Sequence, residues 1–93
     1  MAMETREFDI QNYLKTPEQQ AAYIEAALEE NDPAFLAKAL GDVARARGMT
    51  QVAKEAGVTR EALYRALSEK GDPRLSTFLG VLNALGLKLK IAA

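Results

Sequence analysis

Apolar residues recur every three or four positions along most of the chain, which is the pattern of amphipathic helices. Two helix starts are clear. In Thr16-Pro17-Glu18-Gln19, the threonine can cap, the proline suits the first helical position and the glutamine completes a capping box. Asp32-Pro33 repeats the signal. The pattern predicts a first helix that ends near Glu30-Asn31 and a second that ends at Gly48.

Three shorter helices are predicted downstream. Thr50 is expected to cap a third helix that ends at Gly57, and Thr59 a fourth that runs to about Glu69. A turn over residues 70–73 separates these from a fifth helix, which we expect Ser76 to cap and Gly86 to end.

The spacing of apolar residues changes at the end of the chain. Leu87, Leu89 and Ile91 alternate with Lys88 and Lys90, and alternation by two predicts a half-buried strand over residues 87–91. Because a lone strand is not stable, it needs a partner, either residues 6–10 or the same tail of a second subunit. The predicted fold is therefore all-α, with five helices and a short C-terminal β-strand.

Length and composition narrow the class of protein. The 93 residues suffice for a single domain spanning residues 1–93, and so small a domain gains from forming a homodimer. The chain has no cysteine and no histidine, so we expect no disulfide, no metal, no cofactor and no enzymatic activity. The start does not resemble a signal peptide and no apolar run approaches membrane-spanning length, which favours the cytoplasm.

The small net charge of −1 conceals an asymmetry. Residues 1–32, an acidic N-terminal extension and the first helix, carry two basic and eight acidic side chains, whereas residues 33–93 carry ten basic and five acidic ones. Such a split indicates two different partners, one of them nucleic acid, although solvated helix faces of different sign would give the same numbers.

Residues 50–67 form the most informative segment, two short helices joined by a tight turn. Ala53 is small enough to let the helices approach, Gly57 lies where the chain must turn, and Val58 fills the corner. Leu63 and Leu67, one turn apart, would bury the inner face of the second helix.

The outward positions of that second helix are the candidate DNA-binding residues, because the exposed end of such a helix can enter the major groove. Arginine pairs with guanine, and glutamate accepts from cytosine or positions the arginine four residues later. Arginines near the second helix end and around the turn at 70–73 can contact phosphate. The candidates are Thr59, Arg60, Glu61, Tyr64, Arg65, Gln51, Arg47 and Arg74.

The spacing of Ala53, Gly57, Val58, Thr59 and Leu63 resembles the helix-turn-helix of lambda-repressor-like DNA-binding domains. The first helix of the motif looks shorter than usual, since only two residues separate Thr50 from Ala53.

The whole chain, over about residues 4–91, resembles HigA-like probable addiction module antidote proteins, the antitoxins of bacterial toxin–antitoxin pairs. The resemblance is carried by Tyr13-Leu14-Lys15, residues 23–28, Asp32-Pro33, residues 39–50, residues 63–68, Asp72-Pro73 and residues 84–89.

This resemblance implies an antitoxin that neutralises a small basic toxin of the RelE or HigB type and binds operator DNA to repress its own operon. On this interpretation the acidic region 1–32 is a hypothetical surface for the toxin. Two alternatives stay open. One is a stand-alone helix-turn-helix regulator without a toxin. The other is a protein-interaction module that has lost DNA binding, which the acidic isoelectric point of about 5.4 favours slightly.

Overall fold

A computed structural model describes residues 10–93, apart from the side chains of Gln11 and Asn12. The regular secondary structure of this part of the chain is all α-helical, and the five predicted helices are present as α2 to α6, preceded by a single helical turn, α1. Their bounds are α1 Ile10–Tyr13, α2 Pro17–Glu29, α3 Pro33–Arg47, α4 Met49–Ala56, α5 Arg60–Ala66 and α6 Leu75–Ala84. None of these helices is both long and apolar enough to cross a bilayer.

The two predicted helix starts at Thr16 and Asp32 are confirmed. The Thr16 hydroxyl accepts from the backbone N–H of Gln19, and the Gln19 side chain accepts in return from the backbone N–H of Thr16, both at 3.1 Å. The Asp32 carboxylate accepts from the backbone N–H of Ala34 at 3.0 Å. These bonds satisfy amide groups that have no partner within the helix, and they fix where α2 and α3 begin.

Two other predicted caps are wrong. The backbone N–H of Val52 bonds to the carbonyl of Gly48 at 3.1 Å, so α4 starts at Met49 and Thr50 lies inside its first turn. Likewise, the N–H of Phe78 bonds to the carbonyl of Arg74 at 2.9 Å, which starts α6 at Leu75. In both cases the backbone bonds begin before the hydroxyl residue, so its side chain is not needed as a cap.

The end of α5 also differs from the prediction. The helix stops at Ala66 rather than near Glu69, because the backbone of Leu67 leaves helical geometry. Gly71 packs there against the last carbonyls of α5: a Cβ at this position would collide with the oxygens of Arg65 and Ala66. A glycine is therefore required where the chain turns back towards α6.

The C-terminal strand is a further correction. Residues 87–91 have no regular secondary structure, and residues 10–93 contain no strand with which they could pair. Of the predicted partner segment, Ile10 lies in α1, and residues 6–9 lie outside the described residues. Alternation favours a strand only when neighbouring backbone groups complete the hydrogen bonds, and a single chain does not supply them here.

The core is built around α3. Leu40, Val43 and Ala44 have no exposed surface, and the rest of the core surrounds them from every other helix. α4 packs closely on α6, where a Cβ on Gly80 would lie only 3.1 Å from the carbonyl oxygen of Ala56. The remaining large buried side chains are Leu14, Ile24, Met49, Val52, Leu63, Leu67, Val81, Leu82 and Leu85.

Candidate nucleic-acid interface

The turn between α4 and α5 is formed by backbone bonds. Gly57 has φ 78° and ψ 27°, in the left-handed region that a side chain disfavours. The N–H of Val58 then bonds to the carbonyl of Ala53 at 3.0 Å, which closes the end of α4. One residue later the Thr59 hydroxyl accepts from the N–H of Ala62 at 3.0 Å and starts α5. The predicted roles of Gly57 and Thr59 are thus confirmed.

The orientation of α5 follows from two leucines. Leu63 and Leu67 are 0% and 1% exposed, as predicted, and they direct the opposite side of the helix outwards. α5 also comes close to α3, since a Cβ on Gly41 would collide with the backbone oxygen of Leu67. Four exposed polar or aromatic side chains therefore occupy the outer side of α5: Arg60, Glu61, Tyr64 and Arg65.

Tyr64 is the centre of a group of interacting side chains on this side, which we call the Tyr64 cluster: Arg45, Thr50, Arg60 and Tyr64. The Arg60 guanidinium donates to the Tyr64 hydroxyl at 3.3 Å and to the Thr50 hydroxyl at 3.2 Å. The guanidinium carbons of Arg60 and Arg45 each lie 5.5 Å from the centre of the Tyr64 ring. The cluster therefore joins side chains of α3, α4 and α5.

The chemistry of the cluster suits an anion. Two guanidinium groups lie within cation–π distance of one ring, and Tyr64 itself is 37% exposed. An arginine side chain is always charged in proteins, and the hydrogen bond to Tyr64 raises the pKa of Arg60 further. Arg45 is held from the other side by Asp42, whose carboxylate oxygen lies 3.8 Å from its guanidinium nitrogen. The structure thus presents fixed positive charge with free donors at the surface.

Three other predicted site residues have other neighbours. The Gln51 amide donates to the Glu55 carboxylate at 2.6 Å. Both terminal nitrogens of Arg47 donate to the carbonyl of Leu85, at 3.2 and 3.0 Å, so this arginine ties the end of α3 to the end of α6. Arg74 is exposed at the N-cap of α6, and none of its described contacts reaches the Tyr64 cluster.

The suggested pairing of Glu61 with Arg65 does not form. The ion pairs found in the described part of the chain join Asp42 to Lys38 and to Arg45. Glu61 and Arg65 are both exposed, and their carboxylate and guanidinium groups are too far apart to form an ion pair.

Sequence reasoning missed the part that Thr50 and Arg45 play in the cluster. The sequence predicts Thr50 as a helix cap, and Arg45 is only one of the arginines near the second helix end that can contact phosphate. The sequence holds one usable signal, the spacing of Asp42 and Arg45, which places them on the same side of α3. The approach of both residues to Tyr64 depends on how three helices pack, which no local pattern encodes.

The described residues hold no group of three or more carboxylate, histidine or cysteine side chains that could bind a metal ion.

One protein family matches nearly the whole chain. Residues 4–93 match the family described as "Probable addiction module antidote protein". A protein of Haemophilus influenzae, described only as an uncharacterized protein, is 38% identical over 91 residues, which cover 98% of this chain and 94% of that protein. No solved structure matches the chain.

Proposed function

Since the chain belongs to the family of probable addiction module antidote proteins, which implies a toxin partner, we propose that it is a DNA-binding antitoxin of a toxin–antitoxin pair. It binds operator DNA through a lambda-repressor-like helix-turn-helix formed by α4 and α5, and it represses its own operon. It acts in the cytoplasm, on a toxin of the RelE or HigB type.

The observation that carries the DNA-binding part is the Tyr64 cluster on the outer side of α5. In this proposal the start of α5 enters the major groove, where Arg60 and Arg65 contact guanine edges or phosphates. Thr59, Glu61 and Tyr64 complete the reading surface. Because the inner side of α5 is buried through Leu63 and Leu67, these side chains approach DNA from a fixed support.

The residues around the reading surface differ in whether they are free to contact the DNA backbone. Gln51 and Arg74 are exposed, so we retain them as contacts to the DNA backbone. Arg45 joins them, because its guanidinium lies beside Tyr64. Arg47 is left out, because both of its terminal nitrogens bind the carbonyl of Leu85.

A homodimer is part of the proposal, since two reading helices can then meet half-sites about 34 Å apart. The C-terminal region supports it. Leu79 is 49% exposed on α6 and Ile91 is 95% exposed in the tail, and both are large apolar side chains that pairing with a second copy would cover.

Binding to the DNA upstream of the protein's own gene tests the proposal, measured by fluorescence anisotropy over a range of salt concentrations. We expect Arg60→Ala and Arg65→Ala each to weaken specific binding by about 1–3 kcal/mol. Lys88→Ala, which removes the same charge from the tail, is the matched control and should bind like the wild type. Unchanged affinity in both arginine variants would refute α5 as the reading helix.

The acidic isoelectric point of about 5.4 favours a second candidate, a protein-interaction module without DNA binding. Phosphate contacts make affinity fall steeply as salt rises. If no complex with the upstream DNA forms even at low salt, the second candidate is correct.

A further inference from the structure

Three apolar grooves share lining residues, and none of these residues belongs to the Tyr64 cluster. The first, about 210 Å³, lies between α2, α6 and the tail; the second, about 260 Å³, between α3 and α6; the third, about 170 Å³, between α2 and α3. Leu28 lines the first and third, Leu36 the second and third, and Phe78 the first and second. These three side chains therefore join the grooves into one continuous surface, which we call the Leu28 face.

The Leu28 face exposes several large apolar side chains to solvent. Leu75, in the second groove, is 70% exposed, and Leu89, in the first, is 49% exposed. The segment 75–87, which includes all of α6, has no charged residue. A helix that is apolar on its outer side as well as its inner side is usually covered by something.

The charges around the Leu28 face are mainly acidic. Each groove has one carboxylate in its lining: Glu25 in the first, Asp72 in the second and Asp32 in the third. Residues 21–32, which form one edge of the face, contain four acidic and no basic side chains. Lys88 and Lys90 of the tail also line the first groove, so the acidic charge of the face is concentrated on α2 and the loops and not on the tail.

We propose that the Leu28 face is the docking surface for the toxin, and that the toxin presents to it a basic surface with two or three aliphatic or aromatic anchors. This inference rests on the proposed antitoxin function. A basic partner complements the acidic edge, whereas a second copy of this chain would bring another acidic edge against it. None of the lining residues belongs to the Tyr64 cluster, so the toxin and the reading helix α5 use different side chains. Arg74, retained as a contact to the DNA backbone, lies next to Pro73 and Leu75 of the second groove.

The test uses the full-length protein and the purified product of the reading frame beside its gene, with affinity measured by titration calorimetry. Two variants probe the face. Leu28→Ala shortens a side chain that lines both the first and the third groove, and Glu25→Lys reverses an exposed charge on the edge. We expect each to weaken toxin binding about 10-fold or more. The control is Glu18→Lys, the same reversal on the same helix, at a position that lines none of the three grooves.

The same variants are measured for thermal unfolding and for binding to the upstream DNA. The inference holds if Leu28→Ala and Glu25→Lys lose toxin affinity while Glu18→Lys keeps it and all three bind DNA like the wild type. It is overturned if both face variants bind toxin normally, or if they lose DNA binding and change the oligomeric state instead, which would make the face an interface between copies. If the wild-type protein does not bind the product of the neighbouring reading frame, both the proposed antitoxin function and this inference are refuted.

Discussion

The hydrogen bond between Tyr23 and Asp42 is the polar contact that links α2 to the core helix α3, and Tyr23→Phe removes it without changing the shape of the side chain. The Tyr23 hydroxyl donates to the Asp42 carboxylate at 2.7 Å. The Asp42 side chain is only 7% exposed, so little water can replace the lost donor. The carboxylate would retain Lys38 at 3.2 Å and Arg45 at 3.8 Å.

The size of the effect follows from these neighbours. A hydrogen bond to a charged group contributes about 1.5–3 kcal/mol to stability. The lower end applies here, because Lys38 still donates to the same carboxylate oxygen. We expect Tyr23→Phe to lower the free energy of unfolding by about 1–2 kcal/mol. In a domain of this size each kcal/mol lowers the melting temperature by about 4–8 °C.

Urea and thermal unfolding followed by circular dichroism measure this difference. Lys38→Met is the matched control: it also removes a partner of Asp42, but the Lys38 side chain is 45% exposed, so the loss should stay below about 1 kcal/mol. Equal stability of Tyr23→Phe and the wild type would refute the reasoning. So would a Lys38→Met variant as destabilised as Tyr23→Phe, since burial would then not decide the strength of these contacts.

Two further predictions concern pH and the turn after α5. Burial and the bond to Asp42 raise the pKa of Tyr23 well above its ordinary value, so the folded state keeps a proton that the unfolded chain loses near pH 10. The stability that Tyr23 contributes is therefore complete below about pH 10 and is lost as pH rises above it, so the difference between wild type and Tyr23→Phe should shrink in alkaline unfolding experiments. A difference that grows with pH would contradict this assignment. Separately, Gly71→Ala should lower the free energy of unfolding in urea by about 1–3 kcal/mol, because the new methyl group meets the carbonyls of Arg65 and Ala66. A neutral result would show that the turn can move at no cost.

The first residue of a helix could be predicted from the sequence only where a neighbouring side chain caps the helix. The caps at Thr16, Asp32 and Thr59 act within three residues, so their signals are local and complete. Thr50 and Ser76 look the same in the sequence, yet the helices start before them, because packing continues the backbone bonds past the hydroxyl residue. A capping residue is therefore a reliable signal that a helix is near, and a weaker one for its first residue.

In the candidate interface, too, local features could be predicted from the sequence and contacts between distant segments could not. The outward side of α5 follows from the spacing of Leu63 and Leu67, and the structure places it at the surface. The partners of the arginines depend instead on contacts between distant segments. Arg47 reaches a carbonyl 38 residues away and Arg60 a hydroxyl ten residues back. Such pairings depend on how the helices pack, and a single sequence gives no spacing from which to infer them.

The brevity of α5 has a consequence for how its surface can be lost. With seven residues the helix makes barely two turns, and a peptide of that length does not stay helical in water. Its shape is maintained by Thr59 at one end and by two leucines in the interior, so loosening the interior dissolves the outer array of arginines, glutamate and tyrosine in the same event. Any perturbation that opens the core therefore also abolishes binding by these side chains, without a separate conformational change.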